Sequence, residues 1–400
     1  MRYLKRLRSY IKGSLIPVAA IILAFTFSIW TGVRAFSYYY DISLNYRIVK
    51  NNTLTNAYFW AKAIGPSDFS SNSLDEFMKQ AIERLRSDER IDKLFFISGT
   101  SPVKYKGKGI TIGFYEEGIT DAFPELKNMG MDFSDDPDGC ILASRIFNDV
   151  RTGSDFEIIF GPPGNTTVTM HSIGHLVYPY KHLNFGGGGT KLSANDLFAP
   201  GDCLLMQATE TNISRFSQLT SIIYSPDILF SLKDNVTSEE INDITTWLSD
   251  YGTLDTLDSI IENSRQDLQT TLKKELLRPA VFMCASLVAF FSISIYMSKM
   301  KEKELAVGYI CGASRKRLTL FVVSVNCITA LIPALANICF ILMAPNLHWE
   351  GLLSFDGMLY SQDLIWVVIL YFAAAALVSA LGVWISIGGR SPLIYLRGIE

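Results

Sequence analysis

The chain has 400 residues, of which 49% are hydrophobic and 19% charged, and its mean hydropathy is positive at +0.22. This balance excludes a set of ordinary soluble domains and indicates that part of the chain lies in a lipid bilayer. The formal net charge of −3 excludes the strongly basic surface that a nucleic-acid partner requires.

Four apolar stretches are long enough to cross a bilayer, whose hydrocarbon core needs about 20 helical residues. Each contains at least 18 consecutive residues without Asp, Glu, Lys, Arg or His. They predict four transmembrane helices, at residues 14–36, 279–298, 318–344 and 364–388. A cleaved signal peptide is the alternative for the first stretch, because a basic start followed by an apolar run is also a secretory signature.

Lysine and arginine in the short flanking segments predict the orientation, because these residues stay on the cytoplasmic side. Segment 1–13 carries five basic residues and no acid, and it is predicted to lie on the inner membrane surface as an amphipathic helix. Loop 299–317 is strongly basic, whereas loop 345–363 has no Lys or Arg and is predicted to be external. Both termini, including the tail 389–400, are therefore expected in the cytoplasm of a multi-pass cell-membrane protein.

Residues 37–278 contain no apolar run of spanning length and alternate helical with strand patterns. The predicted helices are 74–86, 238–249 and 257–277, and the predicted strands are 93–98, 110–114, 156–160, 166–170 and 221–224. Residues 41–60 are predicted to form a helix antiparallel to 257–277, which gives a two-helix stalk. The fold class is thus an α-helical membrane protein with four transmembrane helices plus a mixed α/β extracytoplasmic domain inserted between helices 1 and 2.

Motifs for catalysis, metal binding or a cofactor are weak in this chain. No G-x-x-x-x-G-K-[ST] motif is present, and the four glycines at 186–189 indicate a surface turn. His171, His175 and His182 fall within twelve residues, but on a β-like segment their spacing does not align metal ligands. The acidic run at 132–138 lacks the order of a calcium loop. We expect no metal, no cofactor and no catalytic residue in this chain.

Two of the six cysteines lie in the polar middle of the chain, at Cys140 and Cys203. In an oxidising compartment they could form a disulfide, or each could be a buried small hydrophobic residue. The sequence leaves both possibilities open.

The segment KEKELAVGYICGASRKRL at residues 301–318 resembles the cytoplasmic loop of FtsX-like and MacB-like ABC-transporter permeases. The ending GGRSPLIYLRGIE resembles the terminal pattern of that family, and GCILASRIF with the strands after it is similar to a segment of the MacB-type domain. One span, an external domain and then three spans is also the family's layout. A departure is the Ile-Pro-Ala-Leu sequence at 332–335, where glycine-rich packing is common in the family.

This resemblance implies a permease subunit that does not hydrolyse ATP but is coupled to a separate cytoplasmic ABC ATPase. It further implies a second permease copy, as a homodimer or related heterodimer, membrane lipids as surroundings, an optional extracytoplasmic adaptor, and export or extrusion of peptides, antibiotics or lipids. By position, the ATPase-coupling residues would be Glu304, Leu305, Ala306, Val307, Gly308, Gly312, Ala313 and Ser314. The apolar face made by Leu305, Ala306, Tyr309 and Ile310 is expected to enter a groove of the ATPase.

Two other functions are compatible with this layout. One is an FtsX-like transmembrane regulator of an extracellular cell-wall hydrolase, against which the size of the 37–278 domain argues. The other is a single-chain receptor without an ATPase.

Overall fold

The computed structural model divides the chain into two units. One unit is Met1–Asp41 with Thr270–Glu400, and the other is Ile42–Gln269. The structure describes residues 15–62, 80–160, 166–177, 180–184, 191–217, 227–249, 252–343 and 364–388. The predicted segments 1–13, 345–363 and 389–400, together with the strand at 221–224 and the glycines at 186–189, lie outside the described residues.

Helices in the described residues range from one turn to ten turns in length. In chain order they are α1 (Leu15–Lys50), α2 (residues 80–87), α3 (Ile119–Ala122), α4 (Pro124–Asn128), α5 (Ala194–Leu197), α6 (Glu210–Ser217), α7 (Ser238–Ser249), α8 (Leu257–Lys274), α9 (Leu277–Met300), α10 (Glu302–Ile310), α11 (Arg315–Met343) and α12 (Leu364–Gly388).

Four helical segments of the described chain are long and apolar enough to cross a membrane, and they contain α1, α9, α11 and α12. A separate α/β unit is also present, so these two coarse features of the prediction are confirmed. The helix order departs from the predicted one in the segment 299–317, where α10 stands between α9 and α11 in place of a loop. The first helix also continues to Lys50, well past the predicted end at residue 36.

Helices α1 and α9 run antiparallel in the first unit. The rings of Phe25 and Phe290 lie 5.0 Å apart, while further along α1 the rings of Phe27 and Phe282 lie 5.9 Å apart. Gly32 permits close approach there, since an added Cβ would lie 3.1 Å from Met283 Sδ. A higher residue number on α1 is thus paired with a lower one on α9, so the two helices point in opposite directions.

Helices α9 and α12 run parallel and are joined by two layers of hydroxyl contacts. Ser286 is hydrogen-bonded to the hydroxyl of Tyr371, and eight residues further along both helices Ser294 Oγ donates to Ser379 Oγ at 3.4 Å. Asn326 Nδ2 of α11 donates to the same Ser379 Oγ at 3.1 Å, so this hydroxyl joins three helices. Interhelical hydrogen bonds of this kind fix the register of apolar helices that have no hydrophobic drive to associate within lipid.

The second unit is organised around a nine-stranded sheet whose members come from distant parts of the chain. The strands, including a separate two-stranded pair, are β1 (Ala57–Lys62), β2 (Ile91–Tyr105), β3 (Lys108–Tyr115), β4 (Cys140–Ala143), β5 (Asp155–Phe160), β6 (Thr167–His175), β7 (Lys181–Leu183), β8 (Phe198–Pro200), β9 (Cys203–Gln207), β10 (Asp227–Leu232) and β11 (Gly252–Thr256).

Six of these strands close into a barrel, which the sequence did not predict. The order β2-β3-β9-β4-β6-β5 returns to β2 through pairing of Val103 with Phe160 and of Lys104 with Ile159. The pairs β3–β9 and β4–β6 are parallel, and the remaining neighbours in the barrel are antiparallel. Strands β10, β1 and β11 extend the sheet beyond β2.

The 15-residue strand β2 belongs to both the barrel and the extension. Its first half pairs with β10, and its second half pairs with β5. The register against β3 shifts between Thr100 and Val103, around Pro102. Proline has no N–H for a sheet ladder and is tolerated where a strand's pairing is irregular, so this register shift fits its position.

The barrel encloses one apolar core, and a second core covers its outer side. The barrel interior contains Ile112, Phe114, Phe147, Ile158, Leu204 and Met206, all fully buried. The outer core joins α3, α4 and the strands to residues 44–49 of α1, which belong to this unit. A third cluster packs α2 and α7 on the β1–β10 extension.

Of the first predicted stalk helix, 41–60, residues 41–50 are helical as the end of α1, but the rest is not. Residues 57–62 form strand β1 and not a helix, and Leu44, Ile48 and Val49 pack into the core of the unit. Apolar periodicity in this segment arises from packing on a sheet. Helix α8 ends at Lys274, before the predicted 277.

Most local predictions in this unit are confirmed. Helix α7 has the predicted bounds, and the strands predicted at 156–160 and 166–170 correspond to β5 and β6, which form a hairpin with Ile158 opposite Val168. Of the helix predicted at 74–86, residues 80–86 are helical, and the rest lies outside the described residues.

Candidate functional site

The predicted coupling segment folds into a helical corner. Helix α9 ends at Met300, α10 occupies Glu302–Ile310, and α11 begins at Arg315. The turn between α10 and α11 is therefore only four residues long. The site is a short helix held between two helices of membrane-spanning length.

Helix α10 packs two of the four residues of the predicted docking face against its surroundings. Ala306 is buried, and Leu305 packs against Val322 of α11 and Val383 and Ile387 of α12. Tyr309 and Ile310 of the same predicted face are exposed, whereas Leu305 is half-buried and Ala306 is fully buried. The burial of Leu305 and Ala306 fixes α10 to the ends of two neighbouring helices.

Another part of the α10 surface is apolar and exposed. Val307 is 56% exposed and Ile310 62% exposed, and Tyr309 beside them is also exposed. Residues three apart on a helix share one face, so Val307 and Ile310 form a small apolar surface. Exposed Lys303 and Glu304 lie one turn before this surface, and exposed Lys316 and Arg317 follow it on α11.

An ion pair orders the start of α10. Lys301 is largely buried, and its Nζ donates to Glu304 Oε1 at 2.8 Å. The Glu304 side chain remains 61% exposed. Glu304 can thus stabilise the first turn of α10 and still present a carboxylate oxygen to a partner.

Gly312 ends α10 in the conformation that a tight corner requires. Its φ is +88°, the Gly312 N–H donates to Tyr309 O at 2.9 Å, and the Ala313 N–H donates to Gly308 O at 3.0 Å. These two bonds define the Schellman termination of a helix, in which glycine is favoured because it has no Cβ. The Gly312-Ala313-Ser314 part of the motif thus has a structural role.

Ser314 starts the next helix. The Arg317 N–H donates to Ser314 Oγ at 3.3 Å, which is the bond of an N-cap residue. Arg315 Nη2 donates to Ile387 O at 2.7 Å, so α11 is also tied to the last turn of α12. Gly308 lies against α11, where an added Cβ would lie 3.1 Å from Leu318 Cδ2.

The eight predicted coupling residues therefore divide into two groups. Glu304 and Val307 are exposed on α10, whereas the others are packed against neighbouring helices or shape the corner. Ile310, which belongs to the predicted apolar face, joins Val307 on the exposed surface. An i, i+3 apolar pair on a short basic segment is the sequence signal for it.

The Cys140–Cys203 disulfide is not formed. Both thiols are free and buried, on adjacent strands in which Cys140 is opposite Met206 and Cys203 is opposite Ala143. Three residues of strand separate the two positions, about 10 Å, whereas a disulfide needs Cα atoms within about 7 Å. Burial raises the pKa of Cys140 to about 12 and raises that of Cys203 as well, so neither is a reactive thiol.

Each histidine of the cluster 171–182 has a different environment. His171 Nδ1 lies 2.7 Å from Asp155 Oδ1 on the barrel surface, and His175 Nε2 lies 2.9 Å from Val150 O. His182 is buried, and this burial lowers its pKa to about 4, so the ring is neutral at physiological pH. The searched part of the chain holds no group of three His, Cys, Asp or Glu side chains arranged for a metal.

Comparisons with known proteins give limited information. No protein-family model matches the sequence, and no curated protein sequence matches it. Among solved structures, the chain is similar to the periplasmic region of MacB from Actinobacillus actinomycetemcomitans, with 12% identity and a TM-score of 0.31. The similarity covers 52% of this chain and 92% of that chain. A likeness at this level identifies neither the family nor the function of the chain.

Proposed function

We propose that this protein is the permease subunit of a MacB-type ABC system and that α10 is its docking helix for a separate cytoplasmic ATPase. The chain itself is non-catalytic, and both termini lie in the cytoplasm. Movement caused by ATP binding is transmitted to the extracytoplasmic unit, for export or extrusion of a peptide, antibiotic or lipid. A second permease copy completes the assembly.

The observation that carries the proposal is the exposed apolar face of α10 on a rigidly held corner. Val307 and Ile310 face outward while Leu305, Ala306 and Arg315 anchor the corner to α11 and α12. A protein partner that covered this face would gain roughly 1.5–3 kcal/mol for each fully buried aliphatic side chain. The four apolar helices and the sequence resemblance of residues 301–318 support the same function.

A matched pair of charge substitutions tests this proposal. Val307→Asp places a carboxylate on the docking face, whereas Val177→Asp places one at an equally exposed valine of the sheet unit; the two side chains are 56% and 59% exposed. We expect V307D to lose co-purification of a P-loop ATPase partner by at least tenfold, because a buried unpaired charge is costly. V177D retains it.

Equal ATPase recovery with V307D and the parent chain would contradict docking through α10. Co-purification of a cell-wall hydrolase with the extracytoplasmic unit, without any effect of deletion on drug or peptide resistance, would favour the regulator function instead. The oligomeric form is tested in the same preparation by mass measurement of the detergent-solubilised complex.

A further inference from the structure

Four basic side chains lie where the apolar stretch of α1 ends and around the start of α9. They are Arg34 on α1, Lys273 and Lys274 at the end of α8, and Arg278 in the first turn of α9. All four are exposed, and none forms an ion pair with another described residue. Glu275 is the exposed acid among them, which leaves a local excess of three positive charges.

The position of three of these residues relative to lipid follows from the exposed side chains of α9. Leu277, Val281 and Val288 are 63%, 60% and 66% exposed in a helix of spanning length. Apolar side chains so exposed on such a helix face the hydrocarbon of a bilayer. Arg278 follows Leu277 directly, and Lys274 precedes Arg278 by one turn. The basic side chains therefore begin where the lipid-facing surface ends.

Arg34 lies at the same depth as these residues. Ser28 Oγ donates to Phe282 O at 3.4 Å, which sets residue 28 of α1 level with residue 282 of α9. Arg34 is six residues beyond Ser28, about 9 Å along the helix. On the antiparallel α9, the same rise from Phe282 leads to about residue 276, between Lys274 and Arg278.

Aromatic side chains on α1 mark this depth as the membrane–water interface. The guanidinium of Arg34 lies 5.8 Å from the centre of the Trp30 ring, and Tyr38 and Tyr40 are exposed one and two turns further on. Tryptophan and tyrosine concentrate at the headgroup level because their rings are amphipathic. The basic residues lie within this aromatic belt.

We propose that Arg34, Lys273, Lys274 and Arg278 form a surface that binds the phosphate groups of anionic phospholipids in the leaflet around the helices. We call these four residues the basic belt. Lysine and arginine at headgroup depth attract anionic lipids by about fivefold per residue, and the long side chains reach phosphate while their stems stay apolar. The lipid-facing leucine and valine residues directly beside the belt favour a bilayer lipid over a soluble anion. The proposal does not depend on the ATPase or on which leaflet is involved.

The experiment uses the full chain in nanodiscs that contain equal amounts of phosphatidylglycerol and phosphatidylcholine. Native mass spectrometry measures the ratio of the two lipids retained by the protein. We expect the parent chain to retain several times more phosphatidylglycerol than phosphatidylcholine. In R34Q/K273Q/K274Q/R278Q we expect this ratio to be at least fivefold lower. Basic residues elsewhere in the chain account for the enrichment that remains.

Two control variants separate the belt from general charge and from misfolding. K93Q/K104Q/K233Q/R151Q removes four exposed basic residues from the sheet unit and should leave the lipid ratio unchanged. R34K/K273R/K274R/R278K keeps the charge of the belt and should keep the enrichment. An equal loss in all three variants would contradict the proposal.

Two further results would overturn it. One is a parent chain that retains both lipids equally. The other is full loss of the enrichment on addition of excess glycerol phosphate, which would identify a site for a soluble phosphate and not a bilayer surface. A lipid ratio that changes only in the glutamine variant of the belt supports the proposal.

Discussion

Replacing Gly312 by alanine tests whether the shape of the α10–α11 corner matters for function. At a φ of +88° a side chain other than hydrogen costs about 1–2 kcal/mol, because Cβ then crowds the following carbonyl oxygen. No atom outside the immediate chain lies within 4 Å of the added Cβ, so this backbone term is the whole expected cost. The strain is relieved when the last turn of α10 unwinds, which moves Ile310 away from its position.

A cost of 1–2 kcal/mol corresponds to a 5–30-fold change in an equilibrium. We therefore expect Gly312→Ala to weaken binding of the partner ATPase by up to that factor, measured as a dissociation constant for the detergent-solubilised chain. Gly107→Ala is the matched control, since Gly107 has a φ of +80° and also has nothing within 4 Å of its Cβ, but lies in the β2–β3 hairpin. The reasoning is refuted if both variants bind the ATPase equally well.

Three further predictions concern the interior of each unit. Folding lowers the pKa of His182 from 6.5 to about 4, so between these pH values the unfolded state binds one more proton than the folded state. The unfolding free energy therefore falls by up to about 3 kcal/mol as the pH falls from 6.5 to 4. His182→Phe should flatten this part of the pH dependence, and an unchanged slope would contradict the prediction. Asn326→Ala removes the hydrogen bond to Ser379 and should lower stability in detergent by about 0.6 kcal/mol. Ser379→Ala should cost more, because it also removes the hydrogen bond from Ser294. The opposite order of the two costs would argue against a hydroxyl shared by three helices. Cys140 and Cys203 should react with a thiol reagent only after unfolding, whether or not a reductant is present. If a reductant made the two thiols reactive in the folded protein, a disulfide would be indicated.

The membrane helices could be predicted from sequence because the requirement is local. About 20 consecutive apolar residues are needed to cross the bilayer, and each of the four stretches meets this condition by itself. The end of α1 could not be predicted in the same way. Beyond residue 36 the helix continues because Leu44, Ile48 and Val49 pack on a core formed by residues far away in the chain.

The barrel could not be predicted because its closure depends on non-local pairing. Individual strands and the β5–β6 hairpin follow from alternation, but the return of β5 to β2 joins residues over fifty positions apart. The register shift between Thr100 and Val103 of β2 also depends on its pairing with β3. The positions of Cys140 and Cys203 on adjacent strands likewise depend on register.

In the α10–α11 corner, too, some features could be predicted from the sequence and others could not. Gly312 and Ser314 could be placed from sequence, since a glycine followed by a serine is typical of a helix end and a new start. Which face of α10 is buried could not be predicted, because the apolar residues of α10 are not confined to one narrow stripe. Contacts of Leu305 with α11 and α12 decide that Val307 and Ile310 face outward.

The central claim is that the exposed face of α10 binds a cytoplasmic ATPase, and site-specific photo-crosslinking in cells tests it most directly. A photoreactive phenylalanine analogue at Ile310 should give a covalent adduct with a P-loop ATPase subunit, identified by mass spectrometry, whereas the same analogue at Val177 should not. An Ile310 adduct with lipid alone, or an ATPase adduct of equal yield from both positions, would contradict the claim.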